Sequence, residues 1–144
     1  MRFGTILGGL TVALALSTAY ATSDDVRKID TSAFDLGPVA EERLENPMVI
    51  TSADELYDAL ANEEAFALIS QQIDFNTETL LYFTWTGSGE DTLTTRLGRT
   101  TPSGELTFVF EAGMTLELAP HHVMFAIPKE TSWKVEITTP GAVR

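Results

Sequence analysis

The chain holds its two histidines, His121 and His122, side by side, and Met124 follows two residues later. Neighbouring side chains on an extended strand point to opposite faces, whereas residues two apart share a face. The two histidines therefore cannot clamp one ion together, while His122 and Met124 can approach the same ion. Neutral imidazole and thioether groups suit Cu(I), and Met114 is the nearest further thioether. One interpretation of this stretch is a soft-metal site formed by His122, Met124 and Met114.

A buried strand is the competing interpretation of the same residues. The apolar side chains alternate between two faces, with Val123, Phe125 and Ile127 on one face and Met124 and Ala126 on the other. Methionine commonly fills gaps in such packing. His121, which follows Pro120, would then form hydrogen bonds at the strand end. We favour the strand because a metal motif of two or three ligands has low specificity.

The second candidate is the glycine-containing stretch TWTGSGEDT, residues 84–92. No lysine follows it, which excludes a P-loop, and Ser88 lacks the flanking glycines of a nucleophile elbow. Its two acids could bind Ca²⁺, but the EF-hand pattern is absent. We predict a hairpin turn whose glycines adopt positive φ and whose acids are dispensable for stability. Because rigid scaffolds present function on such loops, the predicted contact surface comprises Gly87, Ser88, Gly89, Glu90, Asp91 and His121.

Other catalytic groups are not recognisable in the sequence. The chain has no cysteine, which excludes thiol catalysis, CxxCH haem attachment and thiolate metal sites. A glycosidase needs two facing carboxylates, and among 21 acidic residues the sequence can neither select nor exclude such a pair. No serine stands in a recognisable nucleophile setting for a Ser-His-Asp triad. We therefore expect no enzymatic activity and no cofactor, with a paired-acid hydrolase as the weakest alternative.

The elements that position these residues follow from the hydrophobic pattern. Met48–Ile50 is typical of a short strand, and Ser52 with Glu55 forms a capping-box pattern that opens a helix. Apolar residues then repeat at helical spacing to Ile73, with a break at residues 62–64. From Thr79 the period becomes strand-like, and Leu80–Trp85 is apolar on both faces, as in a central strand.

Further strand patterns continue to the C-terminal region. They comprise residues 92–99, Leu106–Glu111, Thr115–Leu118, Val123–Ile127 and Trp133–Thr138, with a hairpin turn at Pro102–Gly104 and with Trp133, Val135 and Ile137 inward. The predicted fold is α+β, with an N-terminal helical unit packed on a mainly antiparallel sheet of five to six strands.

The N-terminal region has the features of an export signal. Arg2 precedes an uncharged apolar run that ends at Ala19-Tyr20-Ala21, a small-x-small cleavage pattern. We predict a signal peptide over residues 1–21, an acidic linker or arm over 22–47 and a single α+β domain over 48–144. The expected location is secreted or periplasmic, with no membrane attachment after cleavage.

The charge of the chain limits its partners. The formal net charge is −12, and residues 24–78 hold 14 acidic and 3 basic side chains. Such a surface repels nucleic acid and anionic lipid head groups. We therefore expect a protein or other cell-envelope partner and no nucleic acid.

Short stretches of the sequence resemble three kinds of known protein. The stretch AGMTLELAPHHVMF resembles the closing segment of periplasmic copper chaperones of the PCuAC type, which implies copper binding. That family also uses an upstream His and Met pair, and residues 49–113 contain neither residue type. Over most of residues 48–137, ITSADEL, DFNTETLLYFTW, GSGEDTLT and HVMFAIPKETSWKV resemble small exported bacterial domains of the planctomycete type. More distantly, they resemble PrcB-type C-terminal domains of a protease-associated complex.

The PrcB-type resemblance implies a non-catalytic interaction module. The glycine loop departs from the PrcB-type pattern, because it carries Glu90-Asp91 where that family has a Gly-Gly pair. The resemblance therefore carries over no functional residue. The sequence as a whole predicts an exported, non-enzymatic binding or interaction module, with a periplasmic copper-binding protein as the alternative.

Overall fold

A computed structural model describes residues 25–97 and 105–138 of the chain. The predicted signal peptide and the predicted turn at Pro102–Gly104 lie outside these residues. The described residues form two helices, α1 (Ala53–Leu60) and α2 (Glu63–Ser70), and seven strands, namely β1 (Arg27–Lys28), β2 (Met48–Ile50), β3 (Glu78–Ser88), β4 (Thr92–Leu97), β5 (Leu106–Glu111), β6 (Leu118–Pro128) and β7 (Trp133–Thr138).

The strands form two sheets rather than the single sheet that the sequence predicted. The first sheet has the order β1-β6-β3-β2 and is antiparallel throughout, and the second has the order β4-β5-β7. Within the second sheet β4 and β5 are antiparallel, whereas β5 and β7 are parallel. The mixed helix and sheet composition with mainly antiparallel pairing is therefore confirmed, and the prediction of one sheet is wrong.

The boundaries of the two helices follow from local capping. The Glu55 amide donates to the Ser52 hydroxyl, and the Glu55 carboxylate accepts from the Thr51 amide. These contacts satisfy amides that a helix start leaves without partners. Ala61 ends α1 with φ of 48°, and the Asn62 side chain then caps α2. The predicted division into two helices is confirmed, with the break at Ala61 and Asn62 and with Glu63 and Glu64 already in α2.

The four-stranded sheet is buried on both faces. One face packs against the helices through a cluster that we call the helix-facing cluster, which includes Ile29, Leu56, Ile69, Tyr82 and Met124. The other face packs against the second sheet through the inter-sheet cluster, which includes Phe83, Trp85, Phe108, Phe110 and Phe125. The molecule therefore has three layers, with β3 in the middle one, as the doubly apolar Leu80–Trp85 pattern predicted.

The described part of the acidic arm, residues 25–47, crosses the first sheet. β1 pairs with β6 at one edge, and Ile29, only 2% exposed, enters the helix-facing cluster. At the opposite edge the Arg43 amide donates to the Thr84 carbonyl of β3. Between these points the Gly37 carbonyl accepts from the His122 ring. We call residues 30–46 the strap, because they tie the two edges together across the helix-side face.

Two smaller predictions about the strands are wrong. Residues 112–117 form a loop instead of a strand, and β6 begins at Leu118. Ile137 was expected to point inward but is 42% exposed. Trp133 and Val135, by contrast, pack against the inter-sheet cluster.

Candidate functional site

The two histidines lie on opposite faces of β6, as their adjacency predicted. His121 faces the second sheet, where its ring stacks on Trp85 with centroids 4.7 Å apart and an 8° angle between the planes. Its Nε2 lies 2.7 Å from the Ser88 carbonyl oxygen. Because a carbonyl only accepts, Nε2 carries the proton and donates. His121 therefore joins β6 to the end of β3.

His122 lies on the helix side, and both of its ring nitrogens have partners. Nε2 is 2.8 Å from the Gly37 carbonyl of the strap, and Nδ1 is 2.7 Å from the Tyr82 hydroxyl. The carbonyl fixes the proton on Nε2, so in the neutral ring Nδ1 accepts from Tyr82. Burial raises the pKa of the Tyr82 phenol to about 12, which keeps it a donor. His122 thus holds the strap against the sheet.

The three residues of the soft-metal interpretation have different environments. Met124 is fully buried in the helix-facing cluster, whereas Met114 is 81% exposed in the loop that follows β5. Both ring nitrogens of His122 are engaged with Gly37 and Tyr82. The structure therefore does not present the three as one open ligand set. Among residues 25–97 and 105–138, no group of three or more His, Cys, Asp or Glu side chains is placed to hold a metal ion.

Asp91 connects the glycine-containing stretch to the loop after β5. One carboxylate oxygen accepts from the Trp85 indole N–H at 3.0 Å, and the other accepts from the Gly113 amide at 2.7 Å. Both oxygens therefore serve internal contacts. Asp91 thus has a structural role that the sequence did not indicate, since we had expected both acids of the stretch to be dispensable for stability.

Ser88 makes a second set of contacts between the same two loops. Its hydroxyl contacts the Thr115 hydroxyl and accepts from the Thr115 amide at 3.1 Å and the Glu90 amide at 3.3 Å. One residue further along, the Gly89 amide donates to the Glu117 carbonyl. The side chain is buried and occupied by these partners. The loop after β5 is therefore fixed in place against the end of β3.

The glycines of the stretch have a different function from the predicted one. β3 pairs with β6 up to Ser88, and the chain then passes to β4 in the other sheet, so no hairpin forms. Gly87 and Gly89 do not have positive φ. A Cβ on Gly87 would clash with the Asp91 carboxylate, and one on Gly113 would lie 2.6 Å from the Glu90 Cβ. Glycine is required at these two positions because the loops pack closely.

The predicted contact surface is therefore only partly available to a partner. Gly89 and Glu90 are exposed, whereas Ser88 is buried, and Gly87, Asp91 and His121 are half-buried. A more prominent feature, which we did not predict from the sequence, lies beside them. Met114, Leu116 and Leu118 are 81%, 99% and 76% exposed. We call these three residues the apolar ridge.

Hydrogen bonds to the end of β3 hold the loop that carries the apolar ridge. Thr115, between its first two members, bonds to Ser88, and Glu117, between its last two, bonds to Gly89. The alternation of apolar and polar residues was the signal, but it indicated a strand over Thr115–Leu118 rather than an exposed loop. The helices and the second sheet instead cover the rest of β3 and β6, and the leucines extend beyond that cover.

The surroundings of the apolar ridge are acidic. Residues 84–91 and 111–122 contain Glu90, Asp91, Glu111 and Glu117 and no lysine or arginine. All of these except Asp91 are exposed. Of the basic side chains in the described ranges, Arg27, Arg43, Arg96 and Lys134 form ion pairs with acids elsewhere. An apolar surface with negative charge around it therefore remains at this end of the molecule.

A cavity of about 250 Å³ lies between the strap and the helix side of the sheet. Its polar wall consists of Tyr82, Thr84 and His122 from the sheet and Glu41 and Arg43 from the strap. The Thr84 hydroxyl donates to the Glu41 carbonyl at 2.6 Å, and Arg43 pairs with the Glu41 carboxylate at 2.7 Å. The polar side chains that line the cavity thus have partners within the protein.

Comparisons with protein-family models, curated proteins and solved structures found no match for this chain. The helices in the described residues are also too short to cross a membrane.

Proposed function

We propose that this chain is an exported, non-enzymatic interaction module. Its contact surface is the apolar ridge together with the exposed residues Gly89 and Glu90. The observation that carries the proposal is the near-complete exposure of Leu116 on a loop that is otherwise tightly bonded. In this proposal α1 and α2 act as an N-terminal helical unit that packs on one face of the sheet and leaves the apolar ridge uncovered.

The energetics support a contact role for the apolar ridge. Burying a leucine side chain yields about 1.5–3 kcal/mol relative to leaving it in water. Surface leucines that stand alone are common, but adjacent ones surrounded by polar groups mark interaction sites. A partner that covers Leu116 and Leu118 therefore gains substantial binding energy. The supported loop also reduces the entropy lost on binding.

The internal use of the polar side chains supports a non-enzymatic role. The Ser88 hydroxyl and both Asp91 oxygens are committed to holding the two loops together. Both rings of the histidine pair are likewise committed to backbone carbonyls. These are the groups that catalysis or metal binding would need to use.

The copper-binding alternative has less support, because its ligands differ in burial. Titration of the mature protein with Cu(I) against a competing chelator separates the two proposals. We expect no retained Cu(I), since Met124 is fully buried and His122 is bonded at both nitrogens. Stoichiometric retention that is lost in His122→Ala would support the alternative.

Affinity capture with matched variants tests the interaction proposal. Immobilised mature protein is incubated with the envelope fraction of its own cells, in parallel with Leu116→Ser/Leu118→Ser and with Val49→Ser. Val49 is an apolar residue that is 49% exposed on β2 and belongs to a different surface. We expect a polypeptide that wild type and Val49→Ser retain and that the double variant loses. Equal retention by all three, or by none, would contradict the proposal.

A further inference from the structure

Within the part of the chain that the structure describes, no strand pairs with the edge of β6 beside the apolar ridge. In an antiparallel pair, alternate residues direct their amide and carbonyl groups to the partner and away from it. The Met124 carbonyl accepts from the Ile29 amide, on the side away from β3. Every second residue from Met124 back to the start of β6 directs its backbone groups the same way. Leu118, Pro120 and His122 therefore direct their backbone groups away from β3.

No hydrogen bond within residues 25–97 and 105–138 reaches these outward groups. β1 pairs only with Phe125 and Ala126, and Ile29 extends the contact by one bond before the chain turns toward α2. The outward edge from Leu118 to His122 therefore offers two amides and three carbonyls, since Pro120 has no N–H. Unpaired edges of this kind are templates for an additional strand.

The corresponding edge of β3 is closed at the same end of the sheet. The Arg43 amide donates to the Thr84 carbonyl, and the Glu42 carboxylate accepts from the Thr86 amide at 3.4 Å. The strap thus covers this side of β3 but leaves β6 open beyond Met124. The open segment also leads directly into the apolar ridge, because Leu118 belongs to both.

The side chains around this edge indicate which kind of partner strand binds there. Leu116 and Leu118 are exposed at alternate positions, and the exposed Glu117 lies between them. A strand beside them would place alternate side chains against the leucines and the intervening ones near the acids. Positive charge is favoured at those intervening positions, because Glu90, Glu111 and Glu117 have no basic neighbour in their own segments. A second copy of this surface is disfavoured by the same acids.

We propose that residues 118–122 accept a strand from a partner segment in which apolar and basic residues alternate, with the apolar ridge covering its apolar face. This inference rests on the proposed interaction function and specifies its binding mode. Main-chain hydrogen bonds supply affinity, while the leucines and acids supply specificity.

Synthetic peptides test the proposal without knowledge of the natural partner. A capped peptide of about seven residues, alternating leucine and lysine, matches a strand of ordinary length. Two controls have the same length: one replaces lysine with glutamate, and one carries N-methyl groups on the amides of one edge. We expect the lysine peptide to bind, and each control to bind at least about tenfold more weakly. Leu116→Ser/Leu118→Ser should also weaken lysine-peptide binding by at least about tenfold.

Amide hydrogen exchange provides the readout that is specific to strand addition. In the unbound protein the Leu118 and His122 amides should exchange faster than the His121 and Val123 amides, which bond to β3. Saturating lysine peptide should slow exchange at Leu118 and His122. Unchanged exchange there, or equal binding of the N-methylated peptide, would overturn strand addition.

The outcomes separate this inference from the proposed function. Peptide binding that needs the leucines but leaves the two amides unprotected refutes the strand and retains the surface. No binding of the lysine peptide refutes the inference, while the capture experiment independently judges the interaction proposal. Concentration-dependent dimerisation of the protein alone that protects the same amides would assign the edge to a second copy and also overturn the proposal.

Discussion

At the scale of single residues, the polar groups of this chain act mainly as connectors. Asp91, Ser88 and the two histidines each join segments that are distant in the sequence. The histidines could be placed on opposite faces from the sequence because strand geometry fixes that alternation. Their partners could not be identified in the same way, because the Ser88 and Gly37 carbonyls come close only through tertiary folding. The candidate ligands were thus recognisable in the sequence, but their structural roles were not.

Replacement of Asp91 tests this connecting role. Asp91→Ala leaves the Trp85 indole N–H and the Gly113 amide without their acceptor, which costs about 1–3 kcal/mol for a buried group. Glu90→Ala is the matched control, and its exposed side chain predicts a change within about 0.5 kcal/mol. Urea unfolding measures both. Equal free energies of unfolding for the two variants would refute the role of Asp91.

The ionisation of Tyr82 gives a prediction with a defined pH window. Burial raises its pKa from 10.0 to about 12, so the native state retains a proton that the unfolded state loses. The contribution to stability is therefore fully present below about pH 10 and is lost as the pH rises to about 12. Tyrosinate absorbance should contain a step near pH 12 that Tyr82→Phe abolishes. A midpoint near pH 10 for that step would contradict the burial of the phenol.

At the scale of elements, capping and hydrophobic period made the helices and the central strand predictable. Ser52 and Asn62 determine local backbone contacts, which short sequence motifs encode directly. The strap was not recognisable, because its apolar residues follow no period and dock individually. The segment of the apolar ridge before Leu118 was predicted as a strand because its apolar and polar residues alternate. Alternation alone does not show whether a neighbouring strand pairs with those residues or whether another layer covers them.

Truncation of a single strap-adjacent side chain tests the docking of the arm. Ile29 is 2% exposed in the helix-facing cluster, so Ile29→Ala should cost about 2–5 kcal/mol. Leu116→Ala, at a side chain 99% exposed, should change stability by less than about 0.5 kcal/mol. Chemical denaturation of the mature protein compares the two. Similar small losses would show that the arm does not contribute to the core.

At the scale of the whole molecule, the chain is a three-layer structure with an asymmetric surface. The pattern of β5 predicted its buried face, and that of β7 predicted the packing of Trp133 and Val135 but not the exposure of Ile137. Neither pattern predicted the parallel pairing of the two strands, because the period does not specify the neighbouring strand. The sequence therefore did not predict that the strands divide into two packed sheets. With two layers covering the faces of β3, the exposed leucines are left at one end, surrounded by acids. This arrangement is the basis of the proposed interaction function.

Methionine oxidation in the cell envelope tests that function most directly. In the purified mature protein Met114, which is 81% exposed, should form its sulfoxide rapidly, while the buried Met124 should resist the same peroxide treatment. Within intact envelopes we predict that oxidation of Met114 slows at least about tenfold while Met48, half-buried beneath the strap, is unaffected. Equal oxidation rates of Met114 in the purified protein and in the envelope would contradict a partner at the apolar ridge.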